Sequence, residues 1–152
     1  MFRRVAVLAA AALCLAPAAA AATLTPSESA LLREMNRVRA GYHLAPLRYD
    51  RRLELAARFH SREMLQSGIF QHGAFDSRMS RFSVRGRLAG ENLAWGVGEQ
   101  ATAHVIVAEW LASPEHRANL LRPMFRRVGI GALVGAFAGY DGATVVTTDF
   151  AG

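Results

Sequence analysis

The chain contains a single cysteine, Cys14, and no lysine; all 18 of its basic side chains are arginines. Cys14 falls in an N-terminal segment that reads as a leader. The remainder would then hold no disulfide, no thiolate nucleophile and no cysteine ligand for a metal. The patterns HExxH and GxSxG are both missing, which removes two compact hydrolase signatures. No internal repeat occurs, and beyond the leader no apolar stretch is long enough to cross a bilayer. A chain without covalent staples must fold on its hydrophobic core, and residues 23–152 suffice for one domain.

The leader has the parts of a secretory signal. Met1 to Arg4 is short and basic, Val5 to Leu15 is apolar, and a run of alanines ends at Ala22. Residues 1–22 are therefore expected to be a signal peptide, cut after Ala22, and the product to be secreted or periplasmic. Leu13 stands before Cys14, where a lipoprotein signal would place a small residue. Without Arg3 and Arg4, 16 basic side chains face 12 acidic ones, a net charge of +4. In an exported protein such a charge would meet anionic lipid or wall polymer rather than nucleic acid. Four of the arginines crowd into RMSRFSVRGR, residues 78–87, which reads as a solvated loop.

Helices come first. Thr25-Pro26-Ser27-Glu28 is a capping box with proline at the first helical position. Leu31, Leu32, Met35 and Val38 follow at helical spacing, and Gly41 ends the segment. Asp50 caps a second helix with Leu53, Ala56, Ala57, His60 and Met64 on one face, stopped at Ser67-Gly68. Residues 69–98 are irregular. Residues 101–111 predict a third helix, with Val105, Ala108 and Leu111 or Trp110 inward. Ser113-Pro114 begins a short fourth. The end is a predicted hairpin: residues 128–134 alternate small and branched side chains, Asp141-Gly142 signals a turn, and residues 144–150 are β-branched. Gly129 and Gly131 share a strand face that a helix could approach closely. Helices followed by strands give an α+β order.

The chemistry starts at SPEHR. With Ser113 as N-cap, His116 is the third helical residue, where the positive end of the helix resists its protonation. A neutral imidazole can accept a proton or bind a metal; the plainer role is a histidine that holds the turn. His72 follows the second helix, in FQHGAF. Glu91, in GENLAWG, stands among apolar residues and needs a partner if buried. Two histidines could supply one, directly or through a metal, because two imidazoles, a carboxylate and a water make a known zinc arrangement. His60 reads as a satisfied core histidine, His43 as a surface residue, and His104 has no evident role. Asn36 and Asn92 suit hydrogen bonds to loop backbone. Trp95 and Trp110 suit the core. The cap explains Ser113.

NRVRAGYHLAPLRYDRRLELAARFHSREM, FQHGAF, GENLAWG, AEWLASPEHRANLL, FRRVGIGAL and VVTTDF together resemble the CAP superfamily. These are the cysteine-rich secretory, antigen 5 and pathogenesis-related 1 proteins, here in a small bacterial form. The resemblance spans nearly all of residues 26–150. It implies a three-layer α-β-α sandwich around a short antiparallel sheet. It also implies a cleft of two histidines and two acids that in some members binds zinc or another divalent cation. By motif, the first histidine falls on His72, the first acid on Glu91 and the second histidine on His116. The second acid is Glu109 or Glu115. The disulfides of eukaryotic members are missing.

Two functions follow from that resemblance. One is a monomeric extracytoplasmic binding module for a lipid or cell-envelope component, with His72, Glu91 and His116 lining a polar cleft. The other is a metal-assisted hydrolase acting on an extracellular or wall substrate, with a glutamate as general base.

Overall fold

A computed structural model describes residues 24–152; the expected signal peptide lies outside them. Helix α1 (Pro26–Gly41) opens on the capping box: Thr25 accepts from the Glu28 backbone while Glu28 accepts from the Thr25 backbone at 2.8 Å. Strand β1 (Arg48–Tyr49) leads into α2 (Arg51–Ser67), where the Asp50 carboxylate accepts from the N–H groups of Arg52 and Leu53. Such a cap contributes about 1 kcal/mol. Gly68, left-handed at φ 70°, closes α2.

The span expected to be irregular holds two elements, α3 (Phe75–Arg81) and β2 (Ala89–Gly96). Neither advertises itself. Helix α3 has only 7 residues and no side-chain cap, and β2 carries two glycines, a glutamate and an asparagine, all poor strand formers. A 3₁₀ turn at Gly98–Ala101 precedes α4 (Ala103–Ala112), and α5 is Pro114–Leu120. The inward face of α4 is Ile106, Val107 and Trp110, about one residue out of phase with the expected Val105 and Ala108. Ser113 is extended at the N-cap of α5, but its side chain makes no capping bond.

Strands β3 (Arg127–Phe137) and β4 (Tyr140–Ala151) form the hairpin. The chain turns at Ala138-Gly139, both with positive φ (51° and 85°), as a two-residue hairpin loop demands. Asp141-Gly142, the expected turn, already lies in β4. The sheet order is β1-β3-β4-β2. β2, β4 and β3 run antiparallel, and β1 pairs parallel to β3. The sheet is thus mixed and its hairpin long, where a short antiparallel sheet was expected.

Helices cover both faces. Leu31, Met35, Ile106, Val107, Trp110 and Leu120 pack with Val128, Ile130, Val146 and Phe150, which places α1, α4 and α5 on one side. On the other side α2 lies on Gly129 and Gly131 so closely that a Cβ at Gly129 would sit 1.9 Å from the Leu53 carbonyl carbon. Arg39, fully buried, donates to the carbonyls of Ala45, Leu120 and Phe125 at 3.0, 2.8 and 3.1 Å. It binds the end of α1 to the C-terminus of α5, where carbonyl dipoles favour a cation. The three-layer α-β-α arrangement is therefore present.

Candidate functional site

Strand β2 ends the sheet order, and an edge strand leaves backbone groups to satisfy. Side chains from the helices do this. The Trp110 indole N–H donates to the Leu93 carbonyl at 2.9 Å. Asn119 donates to the Glu91 carbonyl at 3.0 Å, and Asn92 donates to the His116 carbonyl at 3.0 Å. The GEN and SPEHRAN segments are thus clamped to each other, and the clamp carries His116 to the edge of the sheet. Asn92 does bond backbone as expected, but from a strand.

His72 arrives from the opposite layer. His60 on α2 is 3% exposed, and its Nε2 lies 2.8 Å from the Gln71 carbonyl oxygen. This is the satisfied histidine the sequence suggested, and it anchors the link on which His72 stands. His72 Nδ1 lies 2.6 Å from Glu91 Oε1. Glu91 is buried on the α2 side of the sheet, and its second oxygen accepts from Arg78 of α3. Arg78 also donates to the His72 carbonyl at 3.2 Å. Glu91 thus has the partner its burial required, and that partner is as much an arginine as a histidine.

The opposite position on β4 is Asp149, in register with Glu91. Asp149 is completely buried, and neither carboxyl oxygen has a hydrogen-bond partner among the described residues. Burial pushes its carboxyl well above the usual carboxylate range, the Glu91 carboxylate adds to the rise, and Arg78 opposes it. Asp149 and Glu91 are thus two buried carboxyls at paired positions of the sheet, with Arg78 near both. His116 is half-buried. Burial lowers its pKa from the ordinary 6.5, the His72 ring lowers it further, and Glu115 works against both. The direction matches the expectation from the helix end; the causes are burial and the second imidazole.

His72 and Glu91 are in direct contact, and His116 lies within the electrostatic reach of His72. Glu109 is exposed and lines a hollow of about 210 Å³ with His116, Phe70, Trp95 and Trp110. A second hollow of about 380 Å³ shares Trp95 and Glu109 and ends at Tyr140. Of the two acids considered for the fourth position, Glu109 lines this groove, while Glu115 is exposed in the first turn of α5, where its charge suits the helix dipole. Trp95 is half-exposed in the groove and packs edge-on against Phe137, whereas Trp110 is core.

A divalent cation does not fit the donor set as arranged. Both oxygens of Glu91 are engaged, one by a guanidinium. Among the described residues no group of three His, Cys, Asp or Glu side chains is disposed to hold a metal. Sequence reasoning missed Arg78 and Asp149. By sequence Arg78 reads as part of a solvated loop, and Asp149 sits in a strand with no motif around it.

The profile of the cysteine-rich secretory protein family, CAP, matches residues 32–150. YkwD of Bacillus subtilis (strain 168) is 32% identical over 117 residues, which cover 74% of this chain and 44% of YkwD. The chain therefore spans less than half of that relative. An extracellular SCP-domain protein from Bacillus anthracis has a similar structure, with TM-score 0.65, 27% identity, and coverage of 86% of this chain and 45% of the other. An outer surface protein from Borrelia burgdorferi matches with TM-score 0.68 and 22% identity over 79% of this chain and 87% of its own.

Proposed function

The chain belongs to the cysteine-rich secretory protein (CAP) family, and on that footing we propose that it is an exported binding module that takes a lipid or cell-envelope component into the groove beside β2. The groove itself carries this reading. Phe70 and Tyr140 are 44% and 56% exposed, and with Trp95 they wall the two hollows that meet at Glu109. Exposed aromatic faces next to a few polar groups suit recognition of an amphiphilic ligand. Export is supported by the N-terminal leader and by relatives described as extracellular or outer-surface proteins.

The cleft supports binding over hydrolysis. Glu91 is buried, with one oxygen against His72 and the other accepting from Arg78, a placement that suits orienting the His72 ring more than taking a proton from a substrate. The cleft then acts as a brace that fixes His116 and the groove wall. The arginine run splits accordingly: Arg78 is buried in the brace, Arg81 lies over the Phe59 ring at 4.4 Å, and Arg85 and Arg87 are exposed.

Co-sedimentation with phosphatidylglycerol vesicles and with purified peptidoglycan sacculi tests this. The protein should pellet with one of them. Trp95→Ala with Tyr140→Ala should reduce that about tenfold or more, the scale of losing two anchoring aromatics. Neutralising Arg81, Arg85 and Arg87 should weaken only the salt-sensitive part. Pelleting with neither, or equal pelleting by the aromatic variant, would overturn the proposal.

A further inference from the structure

We propose that the hollow between α2 and α3 is a second binding site, built for an uncharged oligosaccharide and separate from the aromatic groove. Its volume is about 630 Å³, more than either hollow of the groove, and ligand sites usually span about 300–1,000 Å³. The C-terminal half of α2, the link of residues 69–74 and α3 wall it, and neither His72 nor Glu91 nor His116 takes part. The link has two faces. Ile69, Gln71 and Gly73 line this hollow, whereas Phe70 lines the groove and His72 meets Glu91.

The wall is fixed before any ligand arrives. The buried His60 ring holds the Gln71 carbonyl from α2 at 2.8 Å, and Arg78 donates to the His72 carbonyl from α3 at 3.2 Å. Gly73, at φ 60°, bends the link round His60 so closely that a Cβ there would sit 3.3 Å from the ring. Backbone held in advance adds little ordering cost on binding. The lining then selects the ligand. Gln66, Ser67, Gln71 and Ser77 are exposed there, and each side chain can both donate and accept a hydrogen bond, as a sugar hydroxyl does. Ile69, 53% exposed, and Ala74 supply apolar surface for the C–H face of a sugar ring. The charges on the wall select no ion. Arg78 is spent on Glu91, while Arg81, lying over the Phe59 ring, and Glu63 are of opposite sign, so a ligand of either charge would be opposed by one of them. An acyl chain would cover the four neutral polar side chains without giving them a partner, which is costly.

NMR titration of the purified protein with N-acetylated chitotetraose and with maltotetraose tests this, with the amide signals of Gln71 and Ser77 as reporters. At least one sugar should bind saturably with a Kd of about 1 mM. Gln66→Ala with Gln71→Ala should weaken it about tenfold or more, the scale of losing two hydrogen bonds. Ser77→Trp, at an exposed position of α3, should fill the hollow and abolish binding. Trp95→Ala with Tyr140→Ala should leave the affinity within about twofold, because the two sites share no side chain. Circular dichroism verifies folding, and if Ser77→Trp does not fold, the glutamine pair decides. Saturation by neither sugar, wild-type affinity in a folded Ser77→Trp or glutamine variant, or loss of binding in the Trp95 and Tyr140 variant overturns the proposal. So does tighter binding of glycerol phosphate than of either sugar, which would make the hollow an anion site. A site this weak would not by itself hold the protein to sacculi, so this inference and the reading of the groove can fail separately.

Discussion

Gly129→Ala separates two forces that act with opposite sign. Glycine in a strand interior is disfavoured by about 0.5–1 kcal/mol against alanine, so local propensity predicts a more stable protein. Packing predicts the reverse. The added Cβ would sit 1.9 Å from the Leu53 carbonyl carbon and 2.0 Å from the Glu54 nitrogen, where ordinary contact needs about 3.5 Å. The obstacle is helix backbone, so no rotamer change relieves it. Helix α2 would have to withdraw by about 1.5 Å, and a gap of even 0.5–1 Å forfeits a quarter to a half of each contact. Leu53, Ala56, Ala57 and Met64, all at most 1% exposed, would lose contact together. Overpacking usually costs 1–3 kcal/mol; against backbone a loss of about 3 kcal/mol is expected. Urea unfolding followed by circular dichroism should show the midpoint falling by 1 M or more at an m value of about 1–3 kcal/mol/M. Gly135→Ala is the control, because its Cβ would meet only the flexible tip of Leu65 at 3.1 Å, and its stability should stay within about 1 kcal/mol. A Gly129→Ala protein as stable as wild type would show that α2 is free to shift, and the close-approach reading would be wrong.

Two further outcomes are expected. Arg39→Met should destabilise by about 3 kcal/mol, since it strips charge-assisted hydrogen bonds from the buried ends of α5 and the loop after it; a change under 1 kcal/mol in the same urea assay would refute that role. His116 should titrate below 6.5 by NMR, with burial and then His72 as the causes. Because the folded pKa is lowered, the unfolded chain takes up this proton first on acidification. The His116 contribution to stability is therefore lost as pH falls from about 6.5 towards the folded midpoint. His72→Ala should move that midpoint up, and an unmoved midpoint would show that the two rings do not share a field.

Much of the fold was legible because its signals are local. The capping box at Thr25 and the Asp50 cap lie within a few residues of what they fix, and the apolar face of α2 repeats at a period that needs no partner to be seen. The gaps occur where tertiary contact overrides local preference. Strand β2 is weak by propensity and exists because β4 pairs with it along its whole length. The hairpin turn moved from Asp141-Gly142 to Ala138-Gly139 because the register between β3 and β4, fixed by two buried faces, outweighs one favourable dipeptide. The tight pairing of Gly129 and Gly131 with α2 was readable, because only a missing side chain permits it.

The site divides the same way. His72, Glu91 and His116 were singled out through the resemblance to the CAP superfamily; taken alone, their stretches offered only a histidine after a helix stop, a glutamate among apolar residues and a histidine behind a proline cap. Arg78 and Asp149 carry no such mark. Arginine in an arginine-rich run looks solvated, and its burial becomes apparent only when α3 lays it against β2. Asp149 looks like one polar position in an alternating strand, yet both faces of this sheet are covered. An aspartate on the α2 face there must give up its charge or find a cation, and the guanidinium within 3.9 Å is shared with Glu91. Burial and the neighbouring Glu91 carboxylate push the Asp149 carboxyl well above the usual carboxylate range, and Arg78 opposes them. Arg78 is thus the cation that both buried carboxyls meet, a role that depends wholly on where the chain folds it.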